Sequence, residues 1–390
     1  MFRSKIVGTQ ERVFNPDPPL PWSEEVTERV VVAPQPTRRT ESLDLARGLA
    51  ITLMIISHSI KGLLSYEQMP DWGIMPIHAI TKFSSSIFFT VFGISLAIFI
   101  APSAGTEKWP KRRNKLLVRA LIILFWYKVL TVVQMIQTYP KQAIVEALMY
   151  ERFPDFVEVL GFYGIFLLWF PFVLPLWKKT PLTLKIIVAA GWAYTGSILA
   201  NHFDFWGSDA IRTILVEKPG EFTFGQFQRG AMVLFGWILG EHYLGLKDDE
   251  NRDDRFALTL VLLSLVGVAY FLGRGDDHLI DFLTAIGKNY GKHPPTVIFT
   301  SYSLGGALAI IALCFYCRSW LPKLLKPIVW IGRWPLFSFG FHIAVVFGVY
   351  RWGFDFNQKV TYGEAWMLTL FLLALTSGIT YFLGKRKGLA

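Results

Sequence analysis

Histidines and arginines at the ends of long apolar runs are the residues of this 390-residue chain best placed to do chemistry. One run opens Ser42-Leu43-Asp44-Leu45-Ala46-Arg47-Gly48 and closes Ile56-Ser57-His58-Ser59, with a charged pair at its start and an imidazole at its end. His78 begins the next run, His293 precedes Pro294 and Pro295 ahead of a later one, and His342 lies inside another. An imidazole with an ordinary pKa near 6.5 can take the proton from a sugar hydroxyl or amine as it attacks a thioester, which is general-base catalysis. Guanidinium groups fork onto phosphate oxygens, so Arg47 with Asp44 beside it, and Arg112, Arg113 and Arg119, at the opposite ends of the runs, are the expected site for a phosphate-bearing donor.

Each of these residues has an ordinary reading as well. Asp44 and Arg47, at i and i+3, can form a local ion pair. His58 can simply reach toward lipid headgroups, and arginines beside apolar runs can do no more than set topology. A single histidine is more often structural than catalytic; several on one side of the molecule shift the balance toward chemistry, as do ionisable groups at the ends of membrane helices.

The elements that must position these groups are transmembrane helices. The chain is 53% hydrophobic and only 17% charged, and its apolar residues form unbroken runs rather than one stripe in every 3.6 or 2 residues. The runs predict an all-α, polytopic transmembrane helical bundle of about ten helices, near residues 43–63, 78–101, 115–136, 156–177, 183–201, 226–246, 256–273, 295–316, 328–350 and 364–383. The net charge of +10 does not point to nucleic acid, because the basic residues sit in short loops beside these runs. Ten crossings place the clusters at Arg38/Arg39/Arg47, Lys108–Lys115, Lys178/Lys179/Lys185, Lys247/Arg252/Arg255, Arg318/Lys323/Lys326 and Lys385–Lys387 on one side, the cytoplasm, together with both termini. The loops at 64–77, 137–155, 202–225, 274–294 and 351–363 then face outward and have room only for small lid helices.

Residues 1–40 are polar, rich in proline and without the apolar core of a signal peptide, so they are expected to form a disordered cytoplasmic tail, with 41–390 as the membrane domain. Cys314 and Cys317 have no second pair to complete a metal site and read as apolar filler, so no metal is expected. No repeat of broken helices, the mark of an inverted-repeat transporter, is visible.

The opening segment Ser42-Leu43-Asp44-Leu45-Ala46-Arg47-Gly48-Leu49-Ala50, followed by an apolar run to His58, resembles the first helix of the transmembrane acyltransferase superfamily. That superfamily includes the acyltransferase-3 proteins, the glucan succinyltransferases and the heparan-alpha-glucosaminide N-acetyltransferases. Lys292-His293-Pro294-Pro295-Thr296, followed by Leu304-Gly305-Gly306, is similar to a Lys-Tyr-Pro-Pro-Ser segment in bacterial relatives of the heparan-type enzyme. Ile331-Gly332-Arg333-Trp334-Pro335-Leu336 with His342 is similar to a Gly-Arg-x-Pro-Leu segment followed by a histidine. The blocks occur in the family's order across roughly residues 41 to 385.

The resemblance implies transfer of an acetyl or succinyl group from cytosolic acyl-CoA, as co-substrate, onto a sugar or glycan on the other side of what is expected to be a bacterial inner membrane. Membrane lipid is the surrounding partner. Asp44, Arg47, His58, Arg333 and His342 occupy motif positions, and His293, Arg333 and His342 are expected around the pocket. The pattern departs from the heparan-type enzyme at the end of the first helix, where that enzyme has an asparagine near the place of His58 and uses a histidine that follows shortly. His78 matches it only with a different spacing, whereas His58 fits the acyltransferase-3 pattern, so the base is either His58 or His78. A transporter or flippase for a polar solute or glycolipid is the rival reading, since histidines inside a bundle and arginines at its mouth would also line a substrate path.

Overall fold

All ten expected helices are found among the described residues, which are 40–218, 224–274 and 278–387 of a computed structural model. The proposed tail lies outside these residues. The spans are Glu41–Leu63, Gly73–Ser103, Trp109–Met135, Glu158–Lys179, Leu182–His202, Gln226–Gly245, Arg252–Arg274, Val297–Tyr316, Pro335–Gly353 and Tyr362–Arg386. Nine of them are long and apolar enough to cross a bilayer. The exception, Gln226–Gly245, carries Arg229 and Glu241, and both charges are paired inside the protein. The chain is an integral multi-pass membrane protein. Its outer faces carry rows of exposed apolar side chains, such as Val118, Leu121, Ile122 and Phe125 on the third span or Leu258, Leu262 and Leu265 on the seventh, where lipid takes the place of a protein neighbour.

The first span is the centre of the bundle and packs against the second, eighth, ninth and tenth. Close approach is made possible by glycine. A Cβ on Gly48 would stand 2.0 Å from the Ile328 carbonyl oxygen, and one on Gly332 would stand 1.8 Å from that of Asp44, so the first span and the short helix Lys326–Arg333 touch backbone to backbone. The second span meets Gln226–Gly245 in the same manner through Gly93 and Gly236.

Three features differ from expectation. The second and third spans start earlier than 78 and 115, because their first turns are built from residues that are not apolar or lie beside proline, including Pro76, Pro110 and the Lys111–Lys115 stretch. The segment expected as one helix over 328–350 is two, broken at Trp334 (φ −123°, ψ 55°) just before Pro335, which has no N–H to continue the ladder and drives the preceding residue out of the α region. Lys185, read as a loop charge, is instead buried in the fifth span and pairs with Glu241 at 2.6 Å. Short helices occupy the loops at Lys141–Leu148, Asp209–Leu215 and Leu279–Gly287.

Candidate active site

The first span carries Asp44 and Arg47 at one end and His58 at the other, roughly 21 Å apart at 1.5 Å rise per residue. At the Asp44 end, Arg47 Nη1 donates to Asp44 Oδ1 (2.9 Å) and Nη2 donates to Ser95 Oγ (3.0 Å) of the second span. Arg333 pairs with Glu41 (2.9 Å) and stands 3.7 Å from Asp44. Asp44, itself buried, thus gathers Arg47 and Arg333 onto the first span. The other expected arginines lie apart on the third span: Arg112 donates to the Phe99 carbonyl, Arg113 lies over the Phe172 ring at 5.1 Å, and Arg119 is exposed.

At the opposite end the structure brings two of the expected histidines into contact. His58 Nδ1 is 2.9 Å from His342 Nε2, and His342 Nδ1 is 3.0 Å from the Ser338 carbonyl oxygen one turn earlier. A carbonyl only accepts, so His342 Nδ1 carries a hydrogen. In the neutral ring its Nε2 is then an acceptor, and His58 Nδ1 must be the donor. This chain leaves the lone pair of His58 on Nε2. Phe156 and Phe339 stand edge-on to the His58 ring, with centroids 5.2 and 6.2 Å away, and Phe156 holds a left-handed backbone (φ 70°) to do so.

His58 lines a polar cavity of about 30 Å3 together with Met54, Ser57, Thr81, Lys82, Ser84, Ser85, Glu158, Val159 and Lys292. Lys82 and Glu158 were not singled out in the sequence, and Lys292 stood there only as the first residue of the Lys292-His293-Pro294-Pro295-Thr296 block. Lys82 and Glu158 fall inside runs counted as apolar, and the signal that identifies them is simply an ionisable group at membrane depth. His78 does not line this cavity. Its ring is fully buried and neither nitrogen has a hydrogen-bond partner, so it is not linked to the His58–His342 pair.

His293 stands behind the cavity wall. Glu217, completely buried, takes two bonds from Arg229, at 2.7 and 3.2 Å, and lies 3.2 Å from His293 Nδ1. Arg229 Nη2 also donates to the Lys292 carbonyl (2.6 Å). Burial would raise the Glu217 carboxyl, but Arg229 and His293 outweigh it and hold the group below its ordinary range. Burial, then Lys292, push His293 down to about 3 despite Glu217, so the ring is a neutral Nδ1–H donor to that carboxylate. The Lys292 ammonium is likewise lowered, chiefly by burial. The network fastens the segment bearing Lys292 to the Gln226–Gly245 helix.

Residues 39–213 match the family model described as heparan-alpha-glucosaminide N-acetyltransferase, catalytic. The match bears out the resemblance to the transmembrane acyltransferases over that stretch, which runs from before Asp44 through His58, Lys82 and Glu158 and stops short of His293, Arg333 and His342. No curated protein matches the chain.

Proposed function

We propose that this multi-pass membrane protein, similar in its first five spans to an acetyltransferase catalytic domain, moves an acyl group from acyl-CoA to a hydroxyl or amine of a sugar or glycan, with His58 as general base. The observation that carries this reading is the Ser338–His342–His58 hydrogen-bond chain, which makes His58 Nε2 an acceptor at the wall of a polar cavity. As the acceptor oxygen or nitrogen attacks the thioester carbonyl carbon, its proton passes to His58 Nε2. The resulting imidazolium keeps its Nδ1–H bond to His342, much as an orienting partner steadies the histidine of a hydrolase triad. Collapse of the intermediate breaks the C–S bond, and the proton returns from His58 to the departing thiolate. The His78 ring, fully buried, has no hydrogen-bond partner on either nitrogen and does not line the cavity, which favours His58 over it.

The donor enters, in this reading, from the Asp44 end and the acceptor from the His58 end, with the Asp44 end in the cytoplasm. Arg47 and Arg333 serve there chiefly to hold the first span against its neighbours, and donor phosphates fall to the third-span arginines Arg112, Arg113 and Arg119. The test is transfer from labelled acetyl-CoA and succinyl-CoA to a panel of glycans by the purified protein. His58→Ala should lower turnover about 10²–10⁴-fold, the usual worth of a general base, with thermal stability and donor binding retained. Near-normal transfer by His58→Ala alongside loss in His78→Ala would hand the role to His78.

A further inference from the structure

Three lysines at the His58 end take no part in the proton transfer described above. Lys82 and Lys292 line the cavity with His58. Lys61 follows His58 by three residues on the same helix face and lies within electrostatic reach of both. Their surroundings offer little counter-charge. Lys82, only 5% exposed, donates to the neutral amide oxygen of Asn289. Lys61 lies over the Tyr66 ring at 5.5 Å, and the Lys292 ammonium is 5.8 Å from the centre of the Phe224 ring.

The carboxylates nearby do not balance them. Glu217 is occupied by Arg229 and His293, and exposed Asp155 accepts from Tyr139. Glu158 alone faces the cavity, and its Oε2 is buried with no hydrogen-bond partner. One cavity carboxylate therefore faces three lysine amines, and each further proton they carry is costly in a low-dielectric interior unless an anion is supplied from outside.

We propose that this chamber is an anion-binding subsite, lined by Lys82 and Lys292 with Lys61 in electrostatic reach of both, which takes a carboxylate of a substrate beside the atom that His58 deprotonates. The cavity is small and polar, about 30 Å3, with room for a few water-sized groups. Two sources fit the same chemistry. The carboxylate is either the free end of a dicarboxylic acyl group such as succinyl or an acidic substituent on the acceptor sugar. The assignment of that source rests on the acyltransferase reading, whereas the subsite itself does not.

The test begins with binding. Purified full-length protein is titrated with succinate and with glucuronate, each compared with its methyl ester, and the shift in melting temperature is read. At least one acid should stabilise the protein where its ester does not, and Lys82→Gln or Lys61→Gln should abolish the difference. Transfer is then measured with succinyl-CoA against acetyl-CoA, and with uronate-bearing against neutral acceptors. The ratio of kcat/KM for the carboxylate-bearing substrate over the neutral one should fall about 10–100-fold in either variant, the worth of a charge-assisted hydrogen bond. A fall in the donor arm assigns the carboxylate to the acyl group; a fall in the acceptor arm assigns it to the sugar. If Lys82→Gln does not fold, Lys61→Gln, at a half-buried position, carries the comparison. Lysine-dependent binding of the acid without any acyl transfer would keep the subsite and remove the acyltransferase reading. Equal binding of acid and ester, or equal slowing of neutral and charged substrates as expected of lysines that only stabilise the reaction oxyanion, overturns the subsite.

Discussion

His342 earns its place at the site through His58 and touches no substrate in the proposed reaction. Its Nδ1–H is committed to the Ser338 carbonyl, so its Nε2 is free to accept from His58 and to hold that ring in one tautomer. Removing the acceptor with His342→Leu should lower kcat on the order of 10²-fold or more while changing the KM for acyl-CoA little, because the loss falls on the proton transfer and not on donor binding. His342→Gln, which restores an acceptor oxygen near the position of Nε2, should recover much of the loss. A change in KM equal to that in kcat, or no recovery with Gln, would make His342 a packing residue. Both partners of this pair were legible in the sequence as histidines in apolar runs. Their contact was not, since it joins residues on the first and ninth spans. Lys82 and Glu158 were hidden for a different reason: averaging hydropathy over a run conceals one charge among many apolar neighbours, although that charge is the informative residue.

The Gln226–Gly245 helix shows how an element can be recognised correctly while its purpose stays hidden. Its length and apolar content were evident in the sequence, but the ion pair that makes Arg229 tolerable there uses Glu217, from a loop, and that pairing is set by tertiary structure. The same network gives the element a pH dependence. His293 is held down to about 3 in the folded protein, by burial first and Lys292 next, while in the unfolded chain it titrates near 6.5. Between these values the unfolded state binds a proton that the folded state refuses, so stability falls as pH drops from about 6.5 toward 3, by at most about 1.4 kcal/mol per pH unit. Glu217, depressed in the fold, adds a loss in the same direction only below the ordinary carboxylate range. His293→Asn keeps an N–H donor for Glu217 and removes the titration. Its melting temperature should therefore decline less steeply than the parent's between pH 6.5 and 5, and equal slopes would show that His293 is not the group responsible.

At the scale of the whole molecule, the contacts place the basic clusters from Arg47 to Arg318 at one end of the bundle. Arg47 reaches Ser95, which joins the start of the first span to the end of the second. Lys178 donates to the Ala104 carbonyl (3.2 Å), adding the end of the fourth. A Cβ on Gly240 would meet the Ile94 carbonyl oxygen at 2.8 Å, and Lys185 pairs with Glu241, so the end of Gln226–Gly245 and the start of the fifth span share that level. Arg318 pairs with Asp253 and Asp254, joining the end of the eighth span to the start of the seventh. The Lys185–Glu241 pair matters most, because Gln226–Gly245 is the one span of low apolarity: if it failed to cross, every later segment would be inverted and Lys385, Arg386 and Lys387 would lie opposite Lys108–Lys115. Its antiparallel packing on the fifth span, with Gly230 against Trp192 in the middle, argues that it does cross. By the positive-inside rule we propose that the shared end faces the cytoplasm. A cysteine introduced by Lys387→Cys should resist a membrane-impermeant thiol reagent in intact cells and react once the membrane is opened, whereas Trp206→Cys, at an 80% exposed position in the loop after the fifth span, should react in intact cells. Cys314 and Cys317 are buried and should give little background. Labelling of Lys387→Cys from outside together with Trp206→Cys would mean an even number of crossings between them and would remove Gln226–Gly245 from the set of spans; labelling of Lys387→Cys alone would reverse the orientation of the whole bundle.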